Sequence, residues 1–359
     1  MNQTGTLSAA GDLVVRERLV EANENVADAG YAATMKYLNE ADVTFGSCEV
    51  QFTDRGYRTD SPIAYQVDPE VAHDLGRIGF DVLTVATNHT CDFGEVAFVD
   101  TLTNLRKSGI TPVGGGNNLD EAMQPVITRV GDLAVGILAV SCLVPPDYSA
   151  TSTRPGIAPI RIDQSIDFDP LLMIIEPGAP LSMRSSAREQ DVDRLRSAIV
   201  DLRSHVDFVL VSVHFGYGRG DVLAEYQRPL AHAIVEAGAD LVLGNHTHSP
   251  GPIEIHNGVP IVYSLGNHIA QQDWQGANAS QQAIFSAIDE WSVVARFSLE
   301  PHHVRGIELA ATYCDRSTGL PALVTAGAQA EAVFSRIERL SAPWGTKLTT
   351  FGDRATVQL

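Results

Sequence analysis

An α/β protein with mixed sheets is what the sequence predicts, and three observations predict it. Apolar runs of strand length alternate with amphipathic stretches of helical period. Late in the chain, apolar runs are separated by tight turn signals, so some neighbouring strands are antiparallel. Polar residues gather where the apolar runs stop, as ligand-binding residues do at the carboxyl ends of strands in open α/β sheets.

In chain order, the first strand occupies 7–10 and leads into a turn at Gly11-Asp12, followed by a helix over 20–40. A short strand at 43–45 ends at Gly46, and a helix over 69–78 is stopped by Gly79. The strand 82–86 runs straight into Thr87-Asn88-His89. The helix 96–107 presents Val99, Leu102 and Leu105 on one face and is closed by Gly109. A short strand at 111–113 and a helix start at 117–122 precede a hairpin of 126–130 with 133–140 around Gly131-Asp132. Residues 143–188, rich in Pro, Ser and Asp, read as a long excursion that covers a cleft. The helix 189–204 places Val192, Leu195, Ile199 and Leu202 on one face. A buried strand at 208–213 ends at His214. A helix over 227–237 is stopped by Gly238, and a strand at 241–244 ends at Asn245-His246. Paired strands at 253–255 and 260–265 end at Gly266-Asn267-His268. Strands near 293–299 and 306–312 and a helix near 328–340 complete the chain, which shows no linker and reads as one domain over 1–359.

The 359 residues are 44% apolar and 19% charged, enough for a large core. With 25 basic and 44 acidic residues, the formal charge is 25 − 44 = −19. Such a surface repels phosphate backbones and anionic membranes, so nucleic acid is not an expected partner. No signal peptide or membrane span is visible, and the expectation is a cytoplasmic protein. Cys48, Cys91, Cys142 and Cys314 lack CxxC spacing and read as free thiols.

The chemistry sits at the strand ends. Asp12, Glu49, Asn88, His89, His214, His246 and His248 come from separate places in the sequence, each after an apolar run. Imidazole nitrogen and carboxylate oxygen suit Zn, Mn, Fe or Ni, and a carboxylate can bridge two ions, so one or two divalent metal ions are the expected cofactor. His246 and His248 at i and i+2 share a face on an extended segment. A lone histidine is more often a satisfied core or surface residue, and His73, His205, His232, His256, His302 and His303 are read that way. Arg16 and Arg55 lie beside the first two motifs. They are candidates for forked hydrogen bonds to a substrate carboxylate or phosphate, against the blander reading of solvated surface residues.

Taken in order, these motifs resemble the CapA family, named for poly-γ-glutamate capsule biosynthesis and related to the calcineurin-like metallophosphoesterases. Matching segments are Gly11-Asp12, Gly46-Ser-Cys-Glu49, Ala86-Thr-Asn-His89 with Asp92 and Gly94, Val213-His-Phe-Gly216, Gly244-Asn-His-Thr-His248 and Tyr263-Ser-Leu-Gly-Asn267. The resemblance implies a four-layer α/β/β/α metallophosphoesterase-like sandwich with a site at one edge. It implies that Asp12 and His248 serve one ion, that Asn88, His214 and His246 serve a second, and that Glu49 bridges them. His89 would stand outside as a proton donor, and Asn267 would contact substrate. The chain departs from the pattern where related phosphoesterases have Asp-x-His, because Leu13 and Val14 follow Asp12 here; one ligand of the first ion is missing. His268 stands where the family usually has Phe, on a loop expected to reach the site as a second catalytic group. The implied activity is metal-assisted hydrolysis of a small-molecule, peptide- or polyglutamate-like substrate. The alternatives are Cα epimerisation of a peptide, with His89, His268 or a cysteine as the two bases, a phosphoesterase, or a non-catalytic part of poly-γ-glutamate synthesis.

Overall fold

A computed structural model describes residues 3–19, 29–179, 181–272, 276–286, 288–325 and 327–359. The chain begins in one sheet, spends its middle in a second, and returns to the first. The opening strands are β1 (Gly5–Val14), β2 (Val43–Cys48), β3 (Val82–Thr84) and β4 (Thr111–Val113). The middle strands are β5 (Val126–Val130), β6 (Leu133–Ser141), β7 (Phe208–His214), β8 (Leu241–Asn245), β9 (Ile253–His256) and β10 (Val259–Val262). The returning strands are β11 (Asn267–Ala270), β12 (Trp291–Glu300), β13 (His303–Cys314), β14 (Pro321–Leu323), β15 (Leu348–Phe351) and β16 (Arg354–Val357).

The first sheet has ten strands in the order β15-β16-β13-β12-β1-β2-β3-β4, with β11 beside β1 and β14 beside β13. Its β1–β4 run is parallel and its late strands are antiparallel. The second sheet has six strands in the order β9-β10-β8-β7-β6-β5, parallel at its centre and antiparallel at both edges. The α/β class with mixed sheets is therefore what the chain forms.

Alternation along the strands builds the layers. Leu7, Phe45 and Val82 of the first sheet meet Val135, Ile137, Phe208 and Leu210 of the second in one buried cluster. On its other face the first sheet packs Leu13, Cys48 and Leu83 against helices α1 (Ala29–Leu38), α2 (Glu70–Arg77) and α3 (Gly94–Lys107). The second sheet packs Leu138, Val209 and Val211 against α4 (Glu189–Arg203) and α5 (Gln227–Ala237). The order is α/β/β/α, and α6 (Gly327–Ser341) closes the intersheet core with Val333 and Phe334.

Several expectations are corrected. Gly11-Asp12 is not a turn but the interior of β1. Residues 5–9 pair with β12, and after a register shift Asp12 to Val14 pair with β11. Gly11 makes that switch possible: a Cβ there would lie 1.8 Å from the Gly266 carbonyl oxygen, to which the Asp12 N–H donates at 2.9 Å. The helix expected over 20–40 is seen as Ala29–Leu38, and 20–28 lie outside the described residues. On α3 the buried stripe is Phe98, Leu102 and Leu105, with Val99 half-buried beside it. His268 is on a strand, not a loop. The excursion divides in two. Residues 145–148, 154 and 155 line the cleft, whereas 162–167 and 182–187 form a separate two-stranded ribbon, none of which lines it. That ribbon is tied to the body by Arg184 on Glu225 at 2.9 Å, and its tip helix Pro170–Ile175 leaves Leu171, Ile174 and Ile175 exposed. The hairpin β15–β16 had no counterpart in the sequence reading.

Candidate metal centre

The carboxyl ends of β1, β2, β7 and β8 converge on one point between the sheets. Asp12 is in β1, Glu49 directly follows β2, and His214 ends β7; all three are buried. Each offers a ligand atom, and those atoms all lie within 4.8 Å of one another. His214 Nε2 is 3.6 Å from Glu49 Oε1 and 2.8 Å from Asn88 Oδ1. On the other side of Glu49, His248 Nε2 is 3.9 Å from Oε2, and His248 Nδ1 is 3.4 Å from Asp12 Oδ2. The His246 ring stands edge-on to His214 with centroids 4.9 Å apart, and its main-chain N–H donates to Asp12 Oδ2 at 3.0 Å. Glu49 thus stands between Asp12 with His248 and Asn88 with His214 and His246.

The turn after β8 carries backbone strain to aim these rings. His246 has φ 104° and His248 φ 51°, left-handed values that cost non-glycine residues roughly 1–3 kcal/mol each. Gly244 lets this segment press against its neighbour, since a Cβ there would lie 2.1 Å from the Tyr263 carbonyl oxygen.

The donor set fits a divalent cation. Asp12 Oδ1, both Glu49 oxygens and the Nδ1 atoms of His214 and His246 are buried without a hydrogen-bond partner. Among the described residues, the ion pairs of Asp12 and Glu49 are with histidine only. Those histidines do not supply charge. Burial first, then His246 and His248, holds the His214 ring far below the usual imidazole range. Burial lowers His246 to about 3, and burial also lowers His248. Burial and the neighbouring Asp12 carboxylate push the Glu49 carboxyl well above the ordinary range. The neutral imidazoles supply no counter-charge and the raised Glu49 carboxyl holds its proton, so a cation bound among these unpartnered atoms would take the proton's place and supply the missing charge.

The cleft over this centre measures about 1180 Å³ and is lined at its base by Val14, Glu49, Asn88, His89, His246 and His248. Val14, two residues after Asp12, presents an apolar side chain to the cleft. His89 Nδ1 is 2.8 Å from Asp92 Oδ2. Asp92 Oδ1 accepts from the Tyr148 hydroxyl at 2.6 Å, and that hydroxyl is 2.9 Å from Thr59 Oγ1. Asp92 was visible in the sequence only as part of a motif. Tyr148 and Thr59 carried no signal, because they meet Asp92 only through the fold.

Other candidates stand elsewhere. His268 follows Asn267 in β11 and so faces the opposite side of the sheet; its ring meets Phe80 edge-on at 5.9 Å in the helical layer, with neither nitrogen partnered. Burial lowers it to about 3. Asn267 Oδ1 lies 2.9 Å from His248 Nδ1 and orients that ring instead of lining the cleft. Arg55 is drawn away by Asp100, to which its Nε donates at 2.7 Å, and Arg16 lies over the Tyr65 ring at 5.1 Å; neither lines the cleft. Cys48 is buried in the helical layer with its thiol pushed up to about 12, and Cys91, also pushed up by burial, is in the cleft wall. Away from the cleft, His232, Glu254 and His256 form a second group of possible ligand atoms, with Glu254 already taken by Arg228 and Tyr263.

The family model "Bacterial capsule synthesis protein PGA_cap" matches residues 6–272. The chain is 28% identical over 271 residues to the PGA biosynthesis protein CapA of Bacillus subtilis, covering 74% of this chain and 63% of that protein. It is 30% identical over 256 residues to a Mycobacterium tuberculosis protein named "Probable polyglutamine synthesis accessory protein", covering 70% and 61%. This chain therefore spans somewhat over three fifths of the length of these relatives. Among solved structures it is similar to a novel phosphatase of Mycoplasma pneumoniae, with a TM-score of 0.49, 12% identity, and 87% and 94% of the two chains covered. No helix among the described residues is long and apolar enough to cross a membrane.

Proposed function

The chain belongs to the bacterial capsule synthesis protein family PGA_cap, and from that premise we propose that it is a metal-dependent hydrolase of a peptide-like carbonyl compound. One observation carries the reading: Asp12, Glu49 and His214 bring ligand atoms within 4.8 Å of one another while both Glu49 oxygens and Asp12 Oδ1 stay unpartnered. In this reading Asp12, Glu49 and His248 would hold one cation, and Glu49, Asn88, His214 and His246 would hold a second. Divalent cations bound there would polarise a substrate carbonyl or phosphoryl oxygen and make water more acidic.

The chain's own residues supply the rest. Asp92 accepts the His89 Nδ1 proton, which leaves Nε2 as the atom that exchanges a proton with the departing group. Tyr148 holds Asp92 from the other side and ties that orientation to the excursion over the cleft. Asn267 fixes the tautomer of His248 from behind, as second-layer partners of metal ligands do.

Hydrolysis is favoured over Cα epimerisation by where the expected bases lie. Epimerisation needs a base on each face of the reacting carbon, and of the groups expected to form that pair His89 lines the base of the cleft. The expected partner His268 lies behind the sheet, and burial keeps Cys48 and Cys91 as thiols. The relatives' names speak of PGA biosynthesis and polyglutamine synthesis, which supports a peptide-like compound and names no substrate.

The test is metal analysis of protein purified without chelator, together with turnover of γ-glutamyl amides and of aryl phosphates in heavy water. Stoichiometric metal, with amide cleavage that depends on His89 and no deuterium at the substrate Cα, supports the reading. Cα deuteration without cleavage, cleavage of aryl phosphates alone, or absence of metal would overturn it.

A further inference from the structure

We infer that the outer cleft selects a substrate carrying an aromatic or branched apolar group beside the reacting carbonyl, in place of a run of carboxylates. This rests on the reading of the centre given above and names the substrate class for it. The wall beyond the metal ligands is built from Tyr57, Tyr65, Tyr148, Phe285, Ile284 and Ile288. Phe285 and Ile288 form a small buried cluster with Ile63, against which Tyr65 packs. Tyr57 is 76% exposed at the rim and offers an open ring face for stacking. Pro145, Pro146 and Pro155 add apolar lining to the same cleft.

The charges lining this region do not suit a polyanion. Beyond the centre they are Arg58 and Arg154 against Asp60, Glu95 and Asp147. Arg154 is taken by Asp147 at 2.8 Å. The Arg58 guanidinium donates to the main-chain carbonyls of Ser61 and Pro62 at 3.1 and 3.3 Å. Arg58, Asp60 and Glu95 form no ion pair among the described residues, so one unpaired guanidinium faces two unpaired acids. A chain of carboxylates would find one unpaired guanidinium, Arg58, among apolar rings and two unpaired acids, on a protein of net charge −19. A phenyl group in the same place is buried favourably, which is worth about one to two orders of magnitude in affinity.

The experiment is isothermal titration calorimetry on the full chain with γ-glutamylphenylalanine, γ-glutamylglutamate and poly-γ-glutamate, each with added Mn²⁺ and after chelation. The phenylalanine dipeptide is expected to bind at least about tenfold tighter than the glutamate dipeptide in both conditions. Tyr57→Ala, a change at an exposed rim position, narrows that gap about threefold or more. Equal affinities, tighter binding of the polymer, an unchanged gap in Tyr57→Ala, or no binding of the phenylalanine dipeptide would each overturn the inference. The two readings fail separately. A preserved gap without any metal-dependent rise in Tm removes only the metal centre. A lost gap with that rise intact removes only the substrate class.

Discussion

Replacing Glu49 by Gln keeps the shape of the side chain and removes its charge from between Asp12 with His248 and Asn88 with His214. Metal bound to the folded chain stabilises it by about 2.7 kcal/mol when free metal is about 100 times its Kd. Unfolding 359 residues at about 2.1 cal/mol/K per residue gives an entropy of about 0.75 kcal/mol/K, so Tm rises by roughly 3–4 °C. Loss of an anionic ligand weakens metal binding by at least the roughly 100-fold that loss of a ligand's outer partner can cost. At the same metal concentration the gain then falls to at most about 0.4 kcal/mol, or roughly 0.5 °C. In chelator the order reverses. The folded-state pKa of Glu49 is raised by burial and by Asp12. Its contribution to stability is therefore fully present below the unfolded carboxylate value of about 4.3 and is lost as pH rises through the raised value. Chelated wild type should lose stability from the acid side toward neutrality, and Glu49→Gln should lose less. The assay is thermal denaturation with metal titration after dialysis against chelator, repeated at pH 5 and pH 7.5. An equal metal-induced shift in the two proteins would refute the reasoning, as would a chelated variant less stable than chelated wild type at pH 7.5.

Three other perturbations test separate links. Tyr148→Phe removes the hydroxyl that donates to Asp92 Oδ1. It should lower kcat by roughly tenfold with metal content unchanged, against about 10²-fold or more for His89→Asn; steady-state kinetics beside metal analysis separate the two. Gly11→Ala places a Cβ against the Gly266 carbonyl, so it should cost several kcal/mol, about 3 or more, and abolish metal uptake, as denaturant titration would show. His268→Leu removes two unpartnered buried nitrogens and should leave turnover unchanged while holding or raising Tm; a large loss of kcat would return His268 to the catalytic group.

Much of the fold was legible because periodicity follows directly from which face of an element meets the core. The stripe Val192, Leu195, Ile199 and Leu202 on α4 is buried as its spacing requires. The strand ends before Asn88, His214 and His246 were legible for a related reason: an apolar run stops where the chain leaves the sheet, and polar ligands are tolerated there.

What the sequence by itself determined is the α/β class and the family to which the order of its motifs belongs. What only the tertiary structure decided is which face each motif residue occupies and what it meets there. His268 and Asn267 are adjacent in sequence, yet the two-residue period of a strand sends Asn267 to His248 and His268 to Phe80. Arg55 sits beside a ligand motif, yet the Asp100 carboxylate on a neighbouring helix draws it off. Tyr148 reaches Asp92 across 56 positions. Sequence pattern records the burial of a residue relative to its own neighbours along the chain. Contacts between elements depend on strand register and on how the sheets pack, and no local pattern encodes those.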